Sequence, residues 1–164
     1  MDAETEPLKL ETERKSVPLM AITVRQPWAW LMVRPDVPDV KRRAVLYEKD
    51  LIKYIENRTW TTKHRGRIYI HAGKQWECDN DEVYARRLIM NEYALELPSV
   101  EMPLGAIVGY ADLVDCVEEH HSQWFVGPFG FVLANIMPLP KPIKCQGKQG
   151  IFKLDAATVK RLEG

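Results

Sequence analysis

A series of short β-branched or apolar runs, separated by proline and glycine and interrupted by one long helical segment, is the feature that most limits how this chain can fold. Leu19-Met20-Ala21-Ile22-Thr23-Val24 reads as a first strand. Tyr54 to Trp60 and Arg67 to Ala72 read as two more, joined by a tight turn at Lys63-His64-Arg65-Gly66. In the second of these, Ile68 and Ile70 face one way and Tyr69 and His71 the other. Ala106 to Cys116, Phe129 to Ile136, Ile143 to Gln146 and Gly150 to Leu154 complete the strands. Asp79 to Leu97 predicts the long helix: acids open it, long side chains fill it and Pro98 closes it. Pro27 suits the first turn of a short helix over Trp28 to Val33, because its missing N–H is not needed there. Arg34 to Lys49, with its Pro-Asp steps and its Lys41-Arg42-Arg43 cluster, reads as a surface loop or insertion. A doubly wound fold would alternate strand and helix. This order instead predicts an α+β fold, a small mixed β-barrel decorated by a short N-terminal helix and one longer helix.

The 164 residues suffice for one domain with a buried core. Residues 1–18 are expected to be a disordered polar tail, 19–154 the barrel domain, and 155–164 a C-terminal tail or short helix. Formal net charge is zero, so attraction to a polyanion must come from a local patch. The charges are segregated. No acid lies between Asn57 and Trp76 or between His120 and Leu154, and both stretches carry lysines or arginines. The plainer reading is two solvated, strand-rich surfaces with scattered lysines.

Cys78, Cys116 and Cys145 are odd in number and lack any C-x-x-C pairing, which argues against disulfides and a zinc ribbon. The first 18 residues carry five acids and no apolar run, and no stretch has the length of a membrane span. The expectation is an intracellular, cytoplasmic protein, monomeric, without membrane partner, cofactor or metal. Cys116 with His120 and His121 lacks a fourth ligand and matches no recognised metal-binding spacing.

Three blocks share one chemistry: Arg25-Gln26-Pro27-Trp28, Lys53-Tyr54-Ile55-Glu56-Asn57-Arg58-Thr59-Trp60, and Arg65-Gly66-Arg67-Ile68-Tyr69-Ile70-His71-Ala72. Each sets cationic forks or amides beside an indole or phenol at a strand end. A guanidinium grips a phosphate or base edge, and an aromatic face stacks on a base. The candidate ligand-binding set is Arg25, Gln26, Pro27, Trp28, Arg58, Trp60, Arg65, His71 and Lys74. Trp30 is assigned to the core, with Trp28 or Trp60 in the cleft. For His71, the alternative is a satisfied structural histidine.

Lys53 is the sharpest catalytic candidate. Beside Arg58 in a cleft its ammonium would be disfavoured, bringing it toward the range of a general base. The alternative is a surface lysine or a partner of Glu56. Glu56 would orient Lys53, accept a proton or neutralise Arg58. Thr59 and Ser122 are the candidate hydroxyls, although Ser122 equally suits a capping role.

The blocks occur in an order that resembles the ASCH family, a branch of the PUA-like β-barrels. Thr23-Val24-Arg25-Gln26-Pro27-Trp28-Ala29, Lys53-x-x-Glu56-Asn57-Arg58 and Arg65 to Ala72 carry the resemblance, continued by Leu104-Gly105-Ala106-Ile107-Val108-Gly109 and Gly147-Lys148-Gln149-Gly150. It spans about residues 20–154. It implies a barrel whose cleft, between the first helix and the strands, is lined by the Lys53-x-x-Glu56-x-Arg58 segment and takes RNA or a modified nucleoside or nucleotide. Some relatives resemble hydrolases that remove an acyl group from a modified cytidine, using a lysine and a hydroxyl three residues on. Here Leu51 replaces the family's glycine before the lysine, and Glu56 stands where the hydroxyl would be. Binding of RNA or a modified nucleotide is therefore the leading expectation. A hydrolase on the same cleft is the alternative, an N-acylcytidine amidohydrolase or single-strand ribonuclease with Lys53 as base. A third reading is a protein-interaction domain on the same barrel.

Overall fold

The computed structural model describes residues 17–164, so the expected polar tail lies outside them except for its last two positions. The strands are β1 (Met20–Gln26), β2 (Ile55–Arg58), β3 (Gly66–Trp76), β4 (Ala106–Val117), β5 (Phe129–Lys144) and β6 (Ile151–Lys153). They form one six-stranded sheet in the order β2-β5-β4-β3-β1-β6. The β1–β3 pair is parallel and the other pairs are antiparallel. The sheet is mixed and barrel-like, but its hydrogen bonding does not close. The expected hairpin between β2 and β3 is absent: β2 pairs with β5, at the far edge of the sheet from β1. Residues 59–65 therefore form a crossing connection rather than a tight turn.

Across the gap, one Nη of Arg58 donates to the Thr23 carbonyl at 2.6 Å. β6 pairs with β1 only at Met20, Ala21 and Ile22, so this carbonyl lies just past the end of β6. An arginine fork thus takes the place of a strand on that edge.

Helix α1 (Trp28–Val33) is the expected short helix, and Ala29, Met32 and Val33 sink into the main core with Ile22, Val24, Ile68, Ile70, Leu113 and Phe131. A Cβ at Gly109 would lie 2.5 Å from Val33 Cγ1, so only glycine lets the helix settle this close to β4. The Arg34–Lys49 stretch is not a plain loop. It contains helix α2 (Val40–Glu48), capped by Asp39, whose carboxylate accepts from Lys41 N at 2.8 Å and Arg42 N at 3.2 Å.

The long helix is shorter than its sequence pattern suggests. After a turn at Glu77–Asn80, in which Cys78, Asp79 and Asn80 have positive φ, α3 covers Glu82–Tyr93 and ends at Ala94 in the left-handed conformation, before Pro98 is reached. Arg86 holds the segment beyond it, donating to the carbonyls of Pro98 at 2.7 Å and Val100 at 2.9 Å. Ala85 and Ile89 pack with Trp30, Leu31, Trp76 and Trp124 in a second core, which confirms Trp30 as interior. The final helix, α4 (Ala156–Glu163), lays Val159 and Leu162 against Phe152 and Leu154. No helix among the described residues is long and apolar enough to cross a membrane.

Candidate functional site

The unclosed side of the sheet opens into a cleft of about 1150 Å³. β1 and β3 supply one wall, β2 with Trp60 another, α1 and the Glu77–Asn80 turn a third, and the loop 146–150 between β5 and β6 the last. Strand parity decides which side chains enter. On β1, Ile22 and Val24 fill the core, so Thr23 and Arg25 face the other way and line the cleft.

A three-residue charge array forms its floor. Lys53 is only 4% exposed and Glu56 8%. The Lys53 amine donates to the Ile55 carbonyl and lies 3.5 Å from Glu56 Oε1. The other Glu56 oxygen accepts from Arg58 Nε at 3.0 Å and from its Nη at 2.7 Å, a two-pronged contact. Burial pushes the Lys53 pKa below its ordinary value, Glu56 opposes that shift and Arg58 adds to it. One buried carboxylate is thus shared between two cations and balances the charge of one of them.

Indoles flank the array. Trp28 donates Nε1 to Glu77 Oε2 at 2.8 Å, takes the edge of Tyr93 with centroids 6.0 Å apart, and has the Lys53 amine 5.6 Å from its ring centre. Trp60 rests edge-on against Phe131 and has the Arg58 guanidinium 5.9 Å from its ring. Arg25 is half exposed and 3.5 Å from Glu77. Lys74 and Lys148 are exposed on the rim and have no ion-pair partner among the described residues.

Thr23 and His71 sit opposite each other in the β1–β3 register and both line the cleft. Thr23 Oγ1 is 3.1 Å from His71 Nδ1, and His71 Nε2 is 2.8 Å from the Cys145 carbonyl. Burial lowers the pKa of His71; the bond to Cys145 opposes this and Lys74 reinforces it.

Arg25, Trp28, Lys53, Glu56, Arg58, Trp60, His71 and Lys74 thus meet in one place. The remaining candidates do not. Gln26 is 1% exposed and its amide is occupied locally, with Oε1 accepting from Trp30 N at 2.9 Å and Nε2 donating to the Pro103 carbonyl at 3.0 Å. It caps α1 rather than reading a ligand. Pro27 occupies the N-cap position beneath it, just before the helix instead of within its first turn. Arg65 points to the β4 side, 3.9 Å from Asp115. Thr59 is exposed outside the cleft. Ser122 is buried and donates to Asp50 Oδ1 at 2.7 Å, part of the cluster that fixes the 122–124 turn.

Glu77, Tyr93, Thr23 and the loop 146–150 were missed among the lining residues. Thr23 was legible from its two-residue spacing to Arg25, and Lys148 lay in the quoted Gly147-Lys148-Gln149-Gly150 block. Nothing local marks Glu77 or Tyr93. Among the described residues no cluster of histidine, cysteine or acid is arranged to hold a metal.

No family model matches the chain. Over 145 residues, 82% of this chain, it is 29% identical to activating signal cointegrator 1 of Homo sapiens, and equally to that of Mus musculus. The chain spans only 22% of the length of these relatives. Among solved structures, a crystal structure of a mutant ZmASCH protein from Zymomonas mobilis shares the fold with a TM-score of 0.50 at 14% identity, covering 90% of this chain and 97% of that one.

Proposed function

We propose that this chain, an ASCH-type domain by its fold, binds single-stranded RNA or a modified nucleotide in the cleft. The observation that carries the reading is the meeting of Trp28 and Trp60 with rim cations around the Lys53–Glu56–Arg58 floor. A base stacks on an indole, and its phosphates meet Arg25, Lys74 and Lys148. Lys53 and Arg58 share the single carboxylate of Glu56, so together they add at most one net positive charge to the rim cations and serve mainly to direct hydrogen bonds.

This division of roles sets the expected salt dependence. About three phosphate contacts give a slope near −2 for a single strand, so affinity for a labelled oligonucleotide should fall about fifteenfold between 50 and 200 mM salt. The double variant Lys74→Ala/Lys148→Ala should flatten that slope. Trp60→Ala should weaken binding by about tenfold or more at either salt, since one stacked base contributes about 1–3 kcal/mol. Anisotropy titrations check all three, and salt-independent binding or no binding at low salt sinks the reading.

Hydrolysis on the same cleft is a second reading, favoured by the buried amine of Lys53 and its lowered pKa. Neither Thr59 nor Ser122 lines the cleft, so on this reading water replaces them as nucleophile. Lys53→Arg separates base from clamp, because arginine keeps the charge and does not release its proton. A base should lose about a hundredfold in rate or more, whereas a clamp should keep most of its affinity. Turnover of an acylated cytidine and a single-stranded RNA, with and without a divalent metal, is the measurement. If wild type acts on neither, binding stands alone.

A further inference from the structure

We propose that the Thr23–His71 pair sets the hydrogen-bond polarity of the cleft, so that Thr23 accepts from a bound base and favours an amino edge, as in cytosine or adenine, over the keto edge of uracil. The inference rests on the nucleotide reading of the cleft and adds what that reading leaves open, the class of base.

A backbone carbonyl only accepts, so the 2.8 Å contact to Cys145 places a hydrogen on His71 Nε2. The ring is 2% exposed. Around it stand Thr23 from β1, Lys74 from its own strand, the Cys145 carbonyl and Gly147 from the segment before β6, and Phe152 from β6 with centroids 6.1 Å apart. The charged group among these, Lys74, is a cation and disfavours an imidazolium. At neutral pH Nδ1 is therefore a bare lone pair, and the one hydrogen able to bridge the 3.1 Å to Thr23 Oγ1 belongs to the hydroxyl. The Lys148 carbonyl, 3.4 Å away, is the weaker rival for that hydrogen.

With its proton committed to His71, Thr23 offers the cleft lone pairs only. The loop backbone locks the pair in place. A Cβ at Gly147 would lie 2.7 Å from both Thr23 Oγ1 and His71 Cε1, so no other residue packs there unshifted. Protonation reverses the polarity: an Nδ1–H donates to Thr23, whose own hydrogen is then free to meet a keto oxygen.

Calorimetry of the full chain with cytidine 5′-monophosphate and uridine 5′-monophosphate, at pH 7.5 and pH 5.5, tests this. Cytidine monophosphate should bind about tenfold tighter at pH 7.5, the worth of one well-made hydrogen bond. The gap should narrow at pH 5.5, because the His71 pKa lies below 6.5 and the imidazolium population grows as pH falls. Thr23→Ser should keep the preference and Thr23→Val should abolish it. Nitrogen-resolved NMR of His71 in wild type tests the same point without a variant, with the Nε2–H tautomer expected at pH 7.5. An Nδ1–H tautomer or an imidazolium at that pH overturns the inference, as does equal binding of the two nucleotides. Binding of neither nucleotide, even at low salt, overturns this inference; if the labelled oligonucleotide also fails to bind, the nucleotide reading itself falls with it.

Discussion

Arg43→Leu lowers the stability of the folded chain by about 3–5 kcal/mol, a large fraction of the 5–15 kcal/mol that a domain has. Arg43 is buried, and its two Nη groups donate to four carbonyls: Val33 at 2.8 Å, Arg34 at 3.1 Å, Val37 at 2.9 Å and Ile136 at 2.7 Å. Val33 and Arg34 close α1, so their carbonyls lack helical partners and depend on this fork. Leucine fills part of the space but leaves the four acceptors dry. Each charge-assisted bond is worth about 1.5–3 kcal/mol, and partial access to water after relaxation brings the sum into the stated range. Arg43→Lys should recover less than half, since one ammonium does not span acceptors from both α1 and β5. The urea midpoint followed by circular dichroism is the measurement. A loss under about 1 kcal/mol for leucine contradicts the anchoring role.

The same residue shows why one helix escaped the sequence. Val40–Glu48 has no apolar stripe, its flanks carry Pro35 and Pro38, and its one deeply buried side chain is charged. Periodicity reports burial only when burial is apolar. What holds α2 is a cap from Asp39, the Arg43 fork, the Tyr47 hydroxyl accepting from Ile136 N at 3.0 Å, and the half-buried Leu46 and Tyr47 side chains at the edge of the main core. The strands were legible because their inner faces alternate, as Ile68 and Ile70 do. Their partners were not: adjacency in sequence suggested a β2–β3 hairpin, while β2 found β5 some 70 residues on.

The candidate site divides in the same way. Lys53, Glu56, Arg58 and Trp60 lie on one short stretch, so their convergence required only that stretch to reach the cleft. Gln26 and Ser122 have the chemistry of a site but are satisfied by Pro103 and Asp50, which are far away in sequence. A polar side chain reveals that it has a partner only after the chain has folded. Asn57 makes the point within the motif itself. Its amide donates to the Trp124 carbonyl and accepts from Val126 N and Gly127 N, so it builds the wall of the cleft instead of facing the ligand.

Glu56→Ala carries the other large effect, because it strands a buried amine. Glu56 is the partner of both Lys53 and Arg58, and removing one member of a buried ion pair costs about 3–5 kcal/mol. The loss should depend on pH in a defined direction. The Lys53 pKa is already lowered in the folded chain, and losing the group that raises it lowers it further. Between that folded value and the ordinary 10.5 the unfolded chain binds more protons, so stability rises with pH. The deficit of Glu56→Ala against wild type should therefore be greatest near neutrality and shrink toward pH 10. The double variant Lys53→Met/Glu56→Ala removes the stranded charge, and it should regain much of the lost stability and lose the alkaline recovery. Arg58 is better exposed and keeps its bond to the Thr23 carbonyl, so it adds little to the deficit. Chemical denaturation at pH 7, 8.5 and 10 reads all of these. If Glu56→Ala is as stable as wild type at pH 7, or its deficit grows with pH, the carboxylate is not what keeps Lys53 charged inside the cleft.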